Sequence, residues 1–156
     1  MFTINNTIPE IKRLSKAFIA FGEENHLPAQ VICDAHLALE EIVVNIISYG
    51  FEDCDIHPIS INFELEGREL ILEVQDEAPS FNPLEAPMPD LKIPVEERAV
   101  GGLGIYLVRQ IMDKVEYQRK DGKNILTMKK TITPEVECAV STQPGRPARD
   151  PHNPAN

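Results

Sequence analysis

Apolar residues recur every three or four positions from Pro9 onward, with Ile11, Leu14, Phe18 and Phe21 on one stripe. That is the spacing of an amphipathic helix. Gly22, followed by Asn25-His26-Leu27-Pro28, supplies stop chemistry and predicts where the helix closes. A second, stronger helix is expected from about Pro28 to Tyr49, its stripe formed by Ile32, Ala35, Leu39, Ile42, Val43 and Ile46. Ahead of both, Phe2-Thr3-Ile4-Asn5 alternates weakly and reads as an edge strand. After the turn-like stretch from Gly50 to Pro58 the period changes. Ile59 to Glu66 alternates apolar and polar residues without a break, Gly67-Arg68 makes a turn, and Leu70, Leu72 and Val74 share one face of a return strand that only Ile71 interrupts.

From Asn82 to Val100 neither period holds, and Pro83, Pro87, Pro89 and Pro94 stand among acidic residues. A loop of that length within a small domain usually serves as a lid or a binding segment. Helical spacing returns in Leu103, Leu107, Val108, Ile111 and Met112, and two strands, Val115 to Arg119 and Asn124 to Ile132, follow with Asp121-Gly122 between them as a hairpin signal. Two helices, a hairpin, a loop, a helix and a second hairpin predict an α+β fold. It would be a two-layer sandwich, a mainly antiparallel sheet with helices on one face. The ordered domain is expected over 1–132, and the Pro-rich stretch 133–156, poor in apolar residues, is expected to be disordered.

Composition narrows the function classes. The 156 residues, 42% of them hydrophobic, suit one domain with a real core. Fifteen basic against 25 acidic side chains give a formal net charge of -10, which speaks against nucleic acid and against an anionic membrane surface as partners. A phosphorylated ligand would then need a divalent cation and backbone N–H groups in place of a lysine cluster. Cys33, Cys54 and Cys138 have no Cys-x-x-Cys spacing and are read as buried or incidental free thiols, and the four histidines show no ligand spacing. With no apolar run long enough for a membrane span, a cytoplasmic setting is expected.

Three features could carry chemistry. Glu41 and Asn45 lie one helical turn apart and project from the same side of the second helix. An amide oxygen can ligate magnesium, and a carboxylate one turn earlier can orient or deprotonate a hydroxyl. A solvated polar face would look the same at this spacing. Asp76 continues the return strand in phase with Leu70, Leu72 and Val74, so alternation aims it at the core side, where a carboxylate needs a partner such as the amino group of a purine; the alternative is that it merely opens a turn. Gly101-Gly102-Leu103-Gly104 precedes helical spacing, so a phosphate could approach its backbone closely. Glycines before a helix also serve as plain tight connections.

In this order the elements resemble the GHKL superfamily of ATP-binding domains, and most closely its bacterial anti-sigma-factor serine/threonine kinases. Leu39-Glu40-Glu41-Ile42-Val43-Val44-Asn45 is similar to the N box, Asp76-Glu77-Ala78-Pro79-Ser80-Phe81 to the first glycine box, and Gly101 to Leu107 to the second. The likeness runs from the first helix to about Thr131 and implies a Bergerat-type ATP-binding fold. It implies ATP and Mg2+ as ligands, Glu41 as general base and Asn45 as magnesium ligand. Asp76, with Ala78 and Phe81, would bind adenine, and Gly101, Gly102, Leu103 and Gly104 the phosphates. The segment from Asn82 to Val100 would be the ATP lid. No upstream phosphoacceptor hairpin of the sensor histidine kinase kind is present in the sequence, which favours the free-standing anti-sigma type. The implied partners are a small antagonist protein carrying an acceptor Ser or Thr, a sigma factor, and a second copy in a homodimer. The other reading is a module that binds ATP or a partner without transferring phosphate. One departure stands out: Ala78, beside Pro79, replaces the glycine usual in the first glycine box. No cation is assigned to the terminal phosphate, Arg98 and Arg109 being nearest in sequence.

Overall fold

The computed structural model describes residues 1–85 and 103–133. Most of the lid segment, Arg98, Gly101, Gly102, Cys138 and the Pro-rich stretch from 134 lie outside the described residues. Strand β1 (Phe2–Asn5) leads into helices α1 (Ile8–Glu24) and α2 (Ala29–Asn45), and a π-helical turn covers Ile46–Gly50. The hairpin β2 (Pro58–Glu66) and β3 (Glu69–Asp76) follows, then α3 (Leu103–Ile111) and the hairpin β4 (Lys114–Lys120) and β5 (Lys123–Thr131). All five strands form one antiparallel sheet in the order β1-β2-β3-β5-β4.

Alternation along the strands decides which face is covered. Ile4, Ile59, Ile61, Leu70, Leu72, Val74, Leu126 and Met128 are buried and join Leu14 and Phe18 of α1 and Val31, Ala35, Leu39, Ile42 and Val43 of α2 in one core. Intervening residues such as Ser60, Asn62, Glu73 and Gln75 stay partly exposed on the opposite face, as an antiparallel sheet with one covered side requires. Fully burying a side chain such as Phe18 contributes roughly 1.5–3 kcal/mol, and its ring meets Phe63 of β2 edge-on at 5.4 Å between centroids.

The expected architecture holds, with local corrections. Gly22 does not close α1; it is buried within the helix, and a β-carbon there would lie 2.8 Å from Ile32 Cγ1. Its role is close approach of α2. Asn25 caps the helix instead, and His26 takes the left-handed conformation (φ 53°). The α-helical part of the second helix ends at Asn45, and the expected continuation to Tyr49 is the π turn. Asp121 and Gly122 both have positive φ (51° and 80°), the pairing that a two-residue hairpin turn needs. Cys33 and Cys54 are free and exposed, so neither is a buried thiol.

A lysine sets the position of α3. Lys130 Nζ pairs with Asp34 Oδ2 of α2 at 3.0 Å and donates to the carbonyl of Ile111 at the C-terminal end of α3. A cation there satisfies an unpaired carbonyl and the negative end of the helix dipole. From β5, one side chain thus anchors α3 beside α2.

Candidate nucleotide site

The two glutamates of Glu40-Glu41 part company. Glu40 turns toward α1, where Oε1 accepts from Ser15 Oγ at 2.9 Å. Glu41, half-buried, faces the first turn of α3, and a β-carbon on Gly104 would overlap its Oε2 and stand 3.3 Å from its Cδ. Asn45, one turn on, lies under the same glycine, its Nδ2 3.7 Å from that same position. The polar side of α2 is therefore no solvated face: it is walled by the N-terminal turn of α3. Leu103, the first residue of α3, is 49% exposed, and Gly104 sits within the helix rather than ahead of it.

Two buried side-chain polar atoms lack a hydrogen-bond partner among the described residues, His36 Nε2 and Asn45 Nδ2. The first is 3.4 Å from Glu40 Oε1, within ion-pair reach though not in hydrogen-bond geometry. The second has no polar partner among the described residues. An unpaired buried amide costs roughly 1–3 kcal/mol, which a ligand would relieve. Turning the amide over would present Oδ1 in place of Nδ2. A carboxylate and an amide oxygen are the hard donors that suit a magnesium ion retaining most of its waters, so these residues fit that group.

Asp76, 6% exposed, is the last residue of β3 and points to the helix side, as its phase predicted. Its Oδ1 accepts twice, from the Ala78 N–H at 2.9 Å and from Asn124 Nδ2 at 2.8 Å. Its Oδ2 has no hydrogen bond among the described residues, which leaves one acceptor for a ligand N–H. Ala78 is buried and is not among the residues with positive φ, so its side chain costs the turn no backbone strain. The π turn joins the two halves: a β-carbon on Gly50 would be 3.3 Å from Ile46 Cγ2 and 3.5 Å from Ala78 Cβ. A glycine at that point lets the end of α2 close on the turn after Asp76. Phe81 is 64% exposed at the outer rim.

Sequence reasoning did not find Asn124, Arg119, Tyr117 or Lys130. Asn124 is buried opposite Asp76 on β5 and Arg119 on β4. Arg119 Nη1 donates to Asn124 Oδ1 at 2.8 Å and to the Ala78 carbonyl at 2.7 Å, while Tyr117 OH donates to Asn124 Oδ1 at 2.8 Å. The two-residue turn at Asp121-Gly122 could have paired Arg119 with Asn124; nothing local announces Asp76. Arg109 reaches the Leu84 carbonyl at 3.4 Å.

An antiparallel sheet carrying helices on one face, with a carboxylate and an amide under a glycine-bearing helix start, defines a nucleotide-binding domain. The model of the histidine kinase-like ATPase domain matches residues 4–130, and the chain belongs to that family. Within it the chain stands with the serine/threonine-protein kinases. It is 34% identical over 101 residues to the serine/threonine-protein kinase BtrW of Bordetella bronchiseptica, covering 64% of this chain and 70% of that one. It is 31% identical over 108 residues to the serine-protein kinase RsbW of Bacillus mycoides, covering 67% of each. Among solved structures, the RsbU and RsbW domains of a Mycobacterium tuberculosis protein share the fold (TM-score 0.54, 12% identity, 85% of this chain and 33% of that one). So does the histidine kinase domain of a blue-light activated kinase from Erythrobacter litoralis (TM-score 0.52, 14% identity, 78% of this chain and 59% of that one). No helix among the described residues is long and apolar enough to cross a membrane.

Proposed function

We propose that this chain binds Mg-ATP and transfers the γ-phosphoryl group to a Ser or Thr hydroxyl of a small antagonist protein, in the manner of an anti-sigma-factor kinase. The observation that supports it most is the meeting of Glu41, Asn45 and Gly104 at the first turn of α3, with the orphaned Asn45 amide between them. Asn45 would hold magnesium, which when bound neutralises phosphate charge that a chain of net charge -10 is ill-suited to meet alone. Gly104, with Gly101, Gly102 and Leu103, would offer backbone N–H donors to the phosphates. Asp76 Oδ2 would accept from the adenine amino group, with Ala78 and Phe81 beside the base.

Glu41 would take the acceptor hydroxyl's proton as that oxygen bonds to the γ-phosphorus and the bond to the bridging oxygen of ADP breaks. Most of the rate in such transfers comes from positioning and charge stabilisation. A sigma factor competing with the antagonist, a homodimer through the exposed Ile8 and Ile19 of α1, and a cytoplasmic setting complete the proposal.

The test is incubation of the full chain with labelled ATP and small acceptor-like proteins encoded near it. Transfer by wild type, lost in Glu41→Ala with ATP affinity kept, is the expected result. ATP binding without transfer to any such acceptor would leave a non-catalytic binding module, and no melting shift with millimolar Mg-ATP would remove the nucleotide altogether.

A further inference from the structure

The polar cluster behind Asp76 is more elaborate than a buried carboxylate needs. Asn124 is 7% exposed, and all of its hydrogen-bonding capacity is directed. Its Oδ1 accepts from Arg119 Nη1 and Tyr117 OH, both at 2.8 Å. Its Nδ2 donates to Asp76 Oδ1 at 2.8 Å and lies 3.3 and 3.2 Å from the carbonyls of Ala78 and Pro79. The amide cannot turn over, because a flipped carbonyl would face the Asp76 carboxylate and a flipped amino group the guanidinium. Tyr117 spends its one proton on Asn124, so the 3.3 Å contact with Ser80 has Ser80 Oγ as donor. Every member is thus oriented, from β4 through β5 to the turn after β3.

That orientation has a chemical consequence at Asp76. With Oδ1 saturated by the Ala78 N–H and Asn124, the carboxylate cannot rotate without losing two bonds, and Oδ2, which has no hydrogen bond among the described residues, is left as a pure acceptor. Such an oxygen pairs with an amino group and repels a carbonyl. Resting on the reading of this site as a nucleotide pocket, we propose that Asn124, held by Arg119 and Tyr117, is a positioning residue that sets the selectivity of Asp76 for a 6-amino purine over a 6-oxo purine. Arg119 also clamps the Ala78 carbonyl and so steadies the turn at the point where glycine is replaced.

The test is calorimetric titration of the full chain with magnesium and three diphosphates: ADP, GDP and purine riboside diphosphate, which lacks the 6-amino group. Wild type should bind ADP about tenfold or more tighter than the other two, the discrimination expected of a buried charged acceptor. Asn124→Leu, similar in volume, should lose ADP affinity down toward that of purine riboside diphosphate, whose own affinity changes less than about threefold. The ADP preference then collapses. A preference that persists in Asn124→Leu, whether affinities are unchanged or fall together, overturns the inference, since a merely structural amide would lower all ligands alike. If Asn124→Leu gives no cooperative melt, Arg119→Met decides in the same way: partial loss of the preference is expected, and an unchanged preference refutes the proposal. Wild type that binds no ADP would instead overturn the nucleotide reading on which this rests.

Discussion

Gly104 and Glu41 share one volume: the place a β-carbon would occupy on Gly104 is already taken by the Glu41 carboxylate, with Oε2 inside contact distance and Cδ at 3.3 Å. Overpacking of this kind typically costs 1–3 kcal/mol. Because the Glu41 carboxylate ends a flexible side chain that can swing aside, Gly104→Ala should lower stability only by the low end of that range, about 1 kcal/mol, and the same substitution made in a Glu41→Ala background should cost far less. Denaturant melts of the four proteins measure the coupling. An equal cost in both backgrounds would show that backbone freedom, not room for the carboxylate, is what the glycine supplies.

Asn45, the magnesium ligand of the proposed function, is a residue that folding does not need. Its Nδ2 is buried with no hydrogen-bond partner among the described residues, so Asn45→Ala, which removes that unsatisfied amide, should raise stability, by up to about 1–3 kcal/mol. Under the proposed function it should remove the magnesium-dependent part of the melting shift produced by ATP. Thermal melts with nucleotide alone and with nucleotide plus magnesium make the comparison.

Asp76 carries the opposite signature, two internal bonds and one oxygen without a hydrogen bond among the described residues. Asp76→Asn keeps the shape but loses the charge, and should weaken ADP binding by about ten- to a hundredfold, the range for a lost bond to a charged group. Equilibrium titration reads this directly, and unchanged affinity would place the base elsewhere.

Gly22 tests the helix interface. A β-carbon there meets Ile32 Cγ1 at 2.8 Å and Cδ1 at 2.9 Å. Despite the better helix propensity of alanine, Gly22→Ala should destabilise by roughly 1–3 kcal/mol, with Ile32→Ala in the same chain recovering part of the loss. Were Gly22 a helix terminator, the substitution would not respond to Ile32 at all.

Acid should loosen the junction after α3. The Thr131 N–H donates to Asp113 Oδ2 at 2.6 Å and holds that carboxyl below the ordinary carboxylate range. A carboxyl depressed in the folded state contributes stability above its unfolded pKa and loses it as pH falls through the folded value. The contribution is thus complete above about pH 4 and fades on acidification. Asp113 is exposed, so it amounts to no more than about 1 kcal/mol. Asp113→Asn should narrow its stability gap to wild type as pH drops from 6 toward about 3, followed by melting temperature.

By itself, the sequence determined what depends on short-range periodicity. The shift from helical spacing in Ile11, Leu14 and Phe18 to alternation in Ile59 to Glu66, and the Asp121-Gly122 turn, placed the three α-helices and five strands within a few residues, whereas the 3-10 turn Pro83–Glu85 lies in the stretch read as loop. Phase along β3 aimed Asp76 inward, and the one-turn separation of Glu41 and Asn45 put them on one side of α2. These are consequences of backbone geometry, which acts over a handful of residues.

Tertiary structure decided what lies across the sequence. Gly22 reads as a terminator until Ile32 of the next helix is packed against it, and Asn124 reads as an ordinary strand start until β5 is inserted between β3 and β4 and sets it opposite Asp76. Lys130, near the end of the described chain, anchors the helix that lowers Gly104 onto Glu41. Residues 48 positions apart, such as Asp76 and Asn124, carry no local signal of their pairing. That contact exists only once loop closure has been offset by burial of the whole sheet face.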